Sequence, residues 1–173
     1  MSKKTRHLVI LRHAKSSWKS DAETDFDRPL AKRGKQDATK AGLWLKNQKL
    51  TPDLVLSSPA QRARRTVLKV CRELSFDADE IRWNPEIYDA SLNDLVKVLK
   101  TCPDETRTVL LVGHNPGLET LLEYLCREPL PLTEDGKLLT TGCVAHLEVP
   151  AKWSATTKSI ARLLSITRPT EME

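Results

Sequence analysis

The stretch Val9-Ile10-Leu11-Arg12-His13-Ala14-Lys15-Ser16 decides the fold. It begins in an apolar run of strand length, Leu8 to Leu11, and Arg12 and His13 follow that run at once. In an open α/β sheet, ligands bind just beyond the carboxyl ends of the strands. Arg12 carries a planar fork of donors that matches a phosphate, and a neutral His13 carries a ring nitrogen that can attack phosphorus. Taken alone, the stretch is equally consistent with a loop-capping arginine beside a polar residue at a strand end.

The bulk composition is that of a soluble globular protein. The chain has 173 residues, of which 39% are hydrophobic and 29% charged, and this favours one domain over residues 1–173. The net charge of +5 favours anionic partners, but it is too mild and dispersed to indicate nucleic-acid binding. The basic start, residues 1–6, precedes an apolar run too short for a signal peptide, and no segment has membrane-span length. We therefore expect a cytoplasmic protein with no nucleic-acid or membrane partner.

The cysteines and histidines show no pattern of a metal or cofactor site. The four cysteines are Cys71, Cys102, Cys126 and Cys143, and they form no C-x-x-C pair. Buried free thiols in a reducing cytoplasm are the expectation. No acidic pair stands beside a histidine, and the sequence contains no Walker A loop, G-x-G-x-x-G or H-E-x-x-H motif. We expect neither a metal nor a cofactor.

Strand and helix patterns alternate along the chain. Strands are predicted at 7–13, 53–57, 81–83, 108–112, 144–149 and 160–166, and helices at 29–48 and after Ser58, Ser91 and Gly117. Such alternation predicts a three-layer α/β/α fold with a mostly parallel central sheet. The last two strands have no full helix between them, so one is predicted to be an antiparallel edge strand. The polar stretch 14–28 is predicted to be a long functional loop, and Gly34 indicates a close backbone approach.

Reactive or cationic residues follow three of the predicted strands. They are Arg12 and His13, then Ser58-Pro59-Ala60-Gln61-Arg62, and then His114. A cation at Arg62 opposes the dipole of its helix unless an anion binds there, although a solvated surface arginine is the alternative. The Gly- and Pro-containing turn around His114 would fix its ring, whereas a core histidine is the alternative. Two histidines and two arginines at one sheet edge suit covalent phosphoryl transfer.

Three motifs in these segments resemble the histidine phosphatase superfamily, which has the phosphoglycerate mutase-like fold. They are Leu11-Arg12-His13-Ala14, Ser58-Pro59-Ala60-Gln61-Arg62-Ala63-x-x-Thr66 and Gly113-His114-Asn115. Arg-His-Ala and Asp27-Arg28-Pro29-Leu30 with Gly34 are similar to the SixA-type phosphohistidine phosphatase branch. The resemblance spans Leu8 to Pro169, and the three motifs together make it specific.

The resemblance implies a mechanism and a set of site residues. His13 would become a phosphohistidine held by Arg12 and Arg62, and His114 would stabilise the phosphoryl group in the transition state. Water would then release phosphate from His13. Ser16 and Asn115 match positions that the resemblance assigns to substrate binding.

The chain departs from the family pattern at two places. Many members have an asparagine after the first motif, where this chain has Trp18-Lys19. Many also have a glutamate acid after the third strand, where this chain reads Pro85-Glu86-Ile87-Tyr88-Asp89. Asp89 is the best match for the catalytic acid, and Glu86 is the second choice, assigned to substrate binding. If neither carboxyl reaches the leaving group, alkyl phosphates would react poorly while phosphohistidine could still react.

Three functions are consistent with the sequence. The first is a phosphatase that acts on a phosphohistidine protein or a small phosphate ester without a metal. The second is a phosphate-binding regulatory module with weak catalysis. The third is a phosphotransfer mutase, which is less favoured because the chain lacks room for the larger lid insertions of mutases.

Overall fold

The structure, a computed structural model, describes residues 5–173. Residues 1–4, which entered the prediction of no signal peptide, lie outside the described residues. The strands are β1 (Arg6–Arg12), β2 (Leu54–Ser57), β3 (Arg82–Trp83), β4 (Thr108–Gly113), β5 (Val144–Val149) and β6 (Arg162–Thr167). The helices are α1 (Lys32–Asn47), α2 (Gln61–Leu74), α3 (Leu92–Lys100) and α4 (Gly117–Leu125).

The six strands form one mixed sheet in the order β3-β2-β4-β1-β5-β6. The first four strands of the chain are parallel, which confirms the mostly parallel sheet. The strand that runs against them is β5, which pairs antiparallel with both β1 and β6. It lies one strand in from the free edge, and β6, which pairs antiparallel with it, forms that edge, so the predicted antiparallel edge strand is confirmed. Without a crossover helix after it, β5 must pair antiparallel with β6, and β6 then takes the free edge.

The helices cover both faces of the sheet, as the three-layer prediction requires. Alternate residues of β1 face opposite sides: Leu8 and Ile10 pack in the core under α3 and α4, whereas Val9 and Leu11 pack under α1 and α2. A strand buried on both faces explains why this part of the sequence is continuously apolar.

The predicted cysteine state is confirmed, because all four thiols are free and buried. Within residues 5–173, no helix has both the length and the apolar character needed to cross a bilayer. A single domain over residues 1–173 stays a prediction.

Helix α1 begins three residues later than predicted, at Lys32 rather than Pro29. The carbonyl of Pro29 accepts the Ser17 N–H at 2.8 Å, and the Ala31 N–H donates to the Lys15 carbonyl at 2.9 Å. These bonds keep the segment before α1 extended against the chain that leaves β1. Pro29 therefore lies within this extended pairing instead of opening the helix.

The close approach predicted at Gly34 is confirmed. A Cβ on this residue would lie 2.0 Å from the Lys15 carbonyl oxygen. The contact holds α1 directly against the chain two residues beyond His13. The glycine therefore serves the position of the loop that follows β1.

The change Gly34→Ala should destabilise the protein. Alanine normally stabilises a helix interior by about 1 kcal/mol relative to glycine. Here the Cβ would overlap a backbone carbonyl, and overpacking typically costs about 1–3 kcal/mol. Denaturant unfolding should therefore give a lower free energy of unfolding for Gly34→Ala, whereas Gln36→Ala, at an exposed position of the same helix, should be neutral or stabilising. A Gly34→Ala protein as stable as the wild type would contradict this account.

Candidate active site

Three chain segments leave the sheet at the same edge. Arg12 pairs with Gly113 at the ends of β1 and β4, and Ser57 pairs with Val112 at the end of β2. The next residues of the three strands are therefore neighbours. The rings of His13 and His114 have their centroids 5.1 Å apart.

His13 is held as a neutral imidazole. Its side chain is 6% exposed, and Nδ1 lies 2.8 Å from the carbonyl oxygen of Ala14. A carbonyl can only accept, so Nδ1 carries the proton and Nε2 keeps a lone pair. Burial, together with the nearby His114 and Arg62, outweighs the Ala14 hydrogen bond and lowers the pKa of His13 to about 3. Near neutral pH the residue is therefore an uncharged ring with a nucleophilic Nε2.

His114 carries a donor toward the same pocket. Its Nε2 lies 2.7 Å from Oγ of Ser58, which is fully buried and already accepts the Ala60 N–H at 3.2 Å. When the Ser58 hydroxyl donates its own proton, His114 Nε2 is the acceptor. Nδ1 of His114 then carries a proton, and this buried atom has no partner among the described residues. Burial, with the charge of Arg62, lowers the pKa of His114 to about 4, so this ring is also neutral.

The arginines are fixed through their terminal nitrogens and keep their Nε atoms unpaired. Arg12 donates to the Leu139 carbonyl at 2.8 Å, and Arg62 donates to the Asp25 carbonyl at 2.7 Å. The Nε atoms of Arg12, Arg62 and Arg28 are buried and make no hydrogen bond with a described residue. Buried unpaired donors are rare in folded proteins and need an explanation. With His114 Nδ1, these four N–H groups can bind an oxyanion.

Thr66 connects the first strand to the second helix. Its hydroxyl accepts the Ala14 N–H at 3.0 Å and donates to the Arg62 carbonyl at 2.7 Å. The side chain is fully buried. The spacing between His13 and Arg62 is therefore set by one hydroxyl, which explains the threonine in the second motif. Helix α2 begins at Gln61, later than the predicted Ser58, and Arg62 lies in its first turn as predicted.

The sequence analysis missed Asp25, which lies in the 14–28 loop. Its carboxylate accepts from Arg62 at 3.0 Å and from the Tyr88 hydroxyl at 2.8 Å, and it forms an ion pair with Arg28 at 3.3 Å. Partial burial raises the pKa of Asp25, but the Tyr88 hydrogen bond and the Arg62 charge outweigh burial and lower it. Asp25 is thus an anion bound to the arginines of the site. The only sequence signal was the length of the polar loop that contains it.

The structure does not bring the predicted acids into hydrogen-bonding contact with the site. Asp89 and Glu86 are both exposed, and neither carboxylate forms a hydrogen bond or ion pair with a described residue. Asp89 has a left-handed backbone, with φ of 53°. Tyr88, between them, is the residue that packs on the site, with its ring 5.5 Å from that of His114. Catalysis by Asp89 and substrate binding by Glu86 stay predictions.

Of the two predicted substrate-binding residues Ser16 and Asn115, Asn115 contacts the segment that holds Arg12. Ser16 is buried, and its hydroxyl makes no hydrogen bond with another described residue. The Asn115 amide nitrogen donates at 2.9 Å both to Glu119 and to the Leu139 carbonyl, which also holds Arg12. Asn115 therefore positions the segment that fixes Arg12. Direct contact of either residue with substrate stays a prediction.

The charges of the site favour an anion. The guanidinium groups of Arg12, Arg28 and Arg62 outnumber the carboxylates near them, which are Asp25 beside Arg28 and Arg62 and Glu119 near Arg12, and both imidazoles are neutral. Trp18, which is 82% exposed, stacks on Arg28 with the guanidinium carbon 3.6 Å from the ring centroid. In residues 5–173, no three His, Cys, Asp or Glu side chains cluster so that they could hold a metal ion. Independence from metals and cofactors stays a prediction.

Fold and site together define an α/β protein whose candidate anion site consists of arginines and histidines. The family model of the histidine phosphatase superfamily (branch 1) matches residues 8–95, which contain Arg12, His13 and Arg62. The chain belongs to this superfamily, and it is a phosphatase.

Its relatives and structural neighbours agree with that class. An uncharacterized protein of Mycobacterium tuberculosis is 32% identical over 92% of this chain and 99% of its own. An uncharacterized chloroplastic protein of Arabidopsis thaliana is 33% identical over 70% of this chain, which spans 59% of that protein. The phosphohistidine phosphatase SixA of Escherichia coli is 29% identical over 86% of this chain and 89% of its own. A solved structure of the protein histidine phosphatase SixA with tungstate has a TM-score of 0.80 at 24% identity, over 96% of this chain and 99% of that one, and confirms the fold.

Acid should destabilise the protein through His13 and His114. Their pKa values fall from about 6.5 in the unfolded chain to about 3 and about 4 in the folded one. Between the folded and unfolded pKa values, the unfolded state binds more protons than the folded state. The contribution of the two histidines to the free energy of unfolding is therefore complete above about pH 6.5 and is lost as the pH falls. Each histidine contributes a slope of up to about 1.4 kcal/mol per pH unit. Urea unfolding from pH 7 to pH 4.5 should show a shallower pH dependence for His13→Gln/His114→Gln than for the wild type, and equal slopes would contradict the neutral rings.

The change Asp25→Asn should tighten the binding of inorganic phosphate. Asparagine can still accept from Arg62 and Tyr88, but it removes a negative charge beside the anion site. Because this carboxylate is half-exposed, solvent screens its charge. Its removal should therefore change the free energy of phosphate binding by about 1 kcal/mol, or about fivefold in Kd. Calorimetric titration with phosphate measures the change. Asp27→Asn is the matched control, because this exposed carboxylate bonds to Thr24 instead, and weaker binding by Asp25→Asn would contradict the prediction.

Proposed function

We propose that this phosphatase hydrolyses phosphohistidine through a covalent intermediate on His13, without a metal. One observation carries the proposal. Nδ1 of His13 is bound to the Ala14 carbonyl, so Nε2 keeps its lone pair, and the site arginines and His114 carry buried N–H groups without a partner among residues 5–173. A nucleophile and a set of donors for phosphoryl oxygens are thus present in one pocket.

The reaction proceeds in two displacements. In the first, Nε2 of His13 forms a bond to phosphorus, the bond from phosphorus to the leaving nitrogen breaks, and that nitrogen takes the electron pair of the bond and a proton from solvent. Arg12, Arg62 and His114 donate to the phosphoryl oxygens, where the charge is spread in the transition state. In the second, water bonds to phosphorus, its proton passes to solvent, and Nε2 recovers its lone pair as phosphate leaves.

The carboxylates of the chain favour a phosphoramidate over an alkyl phosphate. An alkoxide leaving group needs a strong general acid, whereas an imidazole leaving group is protonated readily. Asp25 bonds directly to the site arginines, and its lowered pKa keeps it ionised, so it is a poor acid. Asp89 and Glu86 are exposed and unpaired. These features support phosphohistidine, on a protein or a small molecule, as the better substrate.

The relatives and the thiols give further support. Escherichia coli SixA, a named phosphohistidine phosphatase, is 29% identical to this chain. Four buried free cysteines are consistent with a reducing compartment, and we place the protein in the cytoplasm.

One observation favours the alternative of a slow phosphate-binding regulator: Asp25 occupies the terminal nitrogens of Arg62. Turnover numbers decide between the two functions.

Rapid-quench labelling should trap a phosphoenzyme on His13. With radiolabelled phosphohistidine as substrate, the wild-type label should be stable in alkali and lost in acid, as expected of a phosphorus–nitrogen bond. His13→Ala should carry no label because the attacking nitrogen is gone. Phosphohistidine should be hydrolysed at least about a hundredfold faster than ethyl phosphate, since loss of general-acid assistance costs about 10²–10⁴-fold.

The matched control is His7→Ala, since His7 lies at the other end of β1 and hydrogen-bonds to His146. It should be labelled like the wild type. Label that persists on His13→Ala, or that is lost in alkali, would refute the covalent step. Tight phosphate binding without any turnover would favour the regulatory module.

A further inference from the structure

We propose that a basic groove between α1 and α2 binds an acidic segment of the phosphoprotein substrate; this inference rests on the proposed function and names the partner's chemistry. The groove comprises two adjoining hollows of about 340 and 610 Å³ on the outer surface of the two helices. Its cationic residues are Lys35, Lys40, Arg64, Arg65 and Lys69. Its other lining residues are uncharged, so the groove contains no carboxylate.

The positive charge of the chain is concentrated on these two helices. They contain ten of the 28 Lys and Arg residues and two of the 23 Asp and Glu residues. The rest of the chain therefore carries more acidic than basic residues. Of the two acids, Asp37 is buried and pairs with Arg33, and Glu73 lies in the last turn of α2. One helical layer thus has a strongly positive outer face.

The five groove cations have no acidic partner in residues 5–173, because none of them forms a salt bridge there. Arg65 and Lys69 are four residues apart on α2, where like charges destabilise a helix. Arg64 lies over the ring of Trp83 at 4.7 Å. A set of like charges without acidic partners is unfavourable for the free protein and favourable for binding a polyanion.

The groove begins beside the catalytic pocket. Gln61 lines it, and the next residue is Arg62 of the anion site. The Gln61 N–H donates at 2.9 Å to the carbonyl of Phe26, in the loop that contains Asp25. From Gln61 to Lys69 the helix rises about 12 Å, so a short segment next to a bound phosphohistidine can follow the groove.

An acidic peptide fits this surface better than a nucleic acid. The groove-lining residues include no aromatic side chain on which bases could stack. Opposite charges on two proteins accelerate their encounter and favour one partner over another. The effect becomes weaker as salt screens the charges. The substrate segment is therefore expected to be rich in Asp and Glu on the side that faces α1 and α2.

Two synthetic peptides test the proposal. Each contains one phosphohistidine and a flanking helix, with five glutamates in one peptide and five glutamines in the other. At low salt the wild type should prefer the glutamate peptide about tenfold in kcat/KM, and 0.5 M NaCl should remove the preference. The variant Lys35→Glu/Lys40→Glu/Arg65→Glu should lose the preference while hydrolysing phosphoramidate at the wild-type rate. Lys97→Glu/Lys100→Glu/Lys158→Glu, with the same charge change at exposed positions outside the groove, should keep it.

Binding and competition complete the test. Fluorescence anisotropy with the unphosphorylated glutamate peptide should give a Kd at least about tenfold weaker for the groove variant than for the wild type. Phosphoramidate turnover without any preference between the peptides would overturn the groove and leave the proposed function intact. Absence of turnover with groove-dependent peptide binding would overturn the function instead. Competition by a twelve-nucleotide oligothymidylate, with no preference for the glutamate peptide, would assign the groove to nucleic acid.

Discussion

The hydrogen bond from Nδ1 of His13 to the Ala14 carbonyl is the constraint on which the rest of the site depends. The bond selects the tautomer that leaves Nε2 with a lone pair. The ring lies at the carboxyl ends of the strands, where burial keeps it neutral. Because the acceptor belongs to the adjacent residue, the backbone after β1 must be held rigidly. The Thr66 hydroxyl holds it from α2, and the contact at Gly34 holds it from α1. Both helices thus act on the orientation of one ring.

The arginines are held in the same way as the His13 ring. One part of each guanidinium group is fixed by a hydrogen bond, and another part stays free. Leu139 holds the terminal nitrogen of Arg12, and Asp25 holds those of Arg62, while the Nε atoms stay unpaired. A guanidinium fixed by a neutral carbonyl keeps its full charge for a ligand, whereas one fixed by a carboxylate does not. Asp25 therefore lowers the net positive charge of the site. That reduction favours release of phosphate after hydrolysis.

The edge of the sheet at which the site lies could be predicted from the sequence, because its position follows from the strands. The apolar runs before Arg12, Ser58 and His114 are buried strands, and parallel strands place their carboxyl ends together. The start of α1 could not be predicted, because Pro29 suits both a helix start and the extended pairing that it makes. The antiparallel pairing of the last two strands could be predicted, because no full helix separates them. Which of the two lies at the free edge could not, because periodicity does not contain that information.

The carboxylate of the site, that of Asp25, shows why the positions of loop residues are hard to predict from sequence patterns. Matching positions along the chain pointed to Asp89, but its left-handed backbone leaves it exposed while Tyr88 beside it packs on the site. Asp25 lies in a loop without hydrophobic periodicity. Its place is set by contacts with its neighbour Arg28 and with Arg62 and Tyr88, which are distant along the chain. Each partner carries a polar group that needs a counterpart when partly buried. The location of Asp25 thus follows from satisfying three side chains at once, which no linear pattern records.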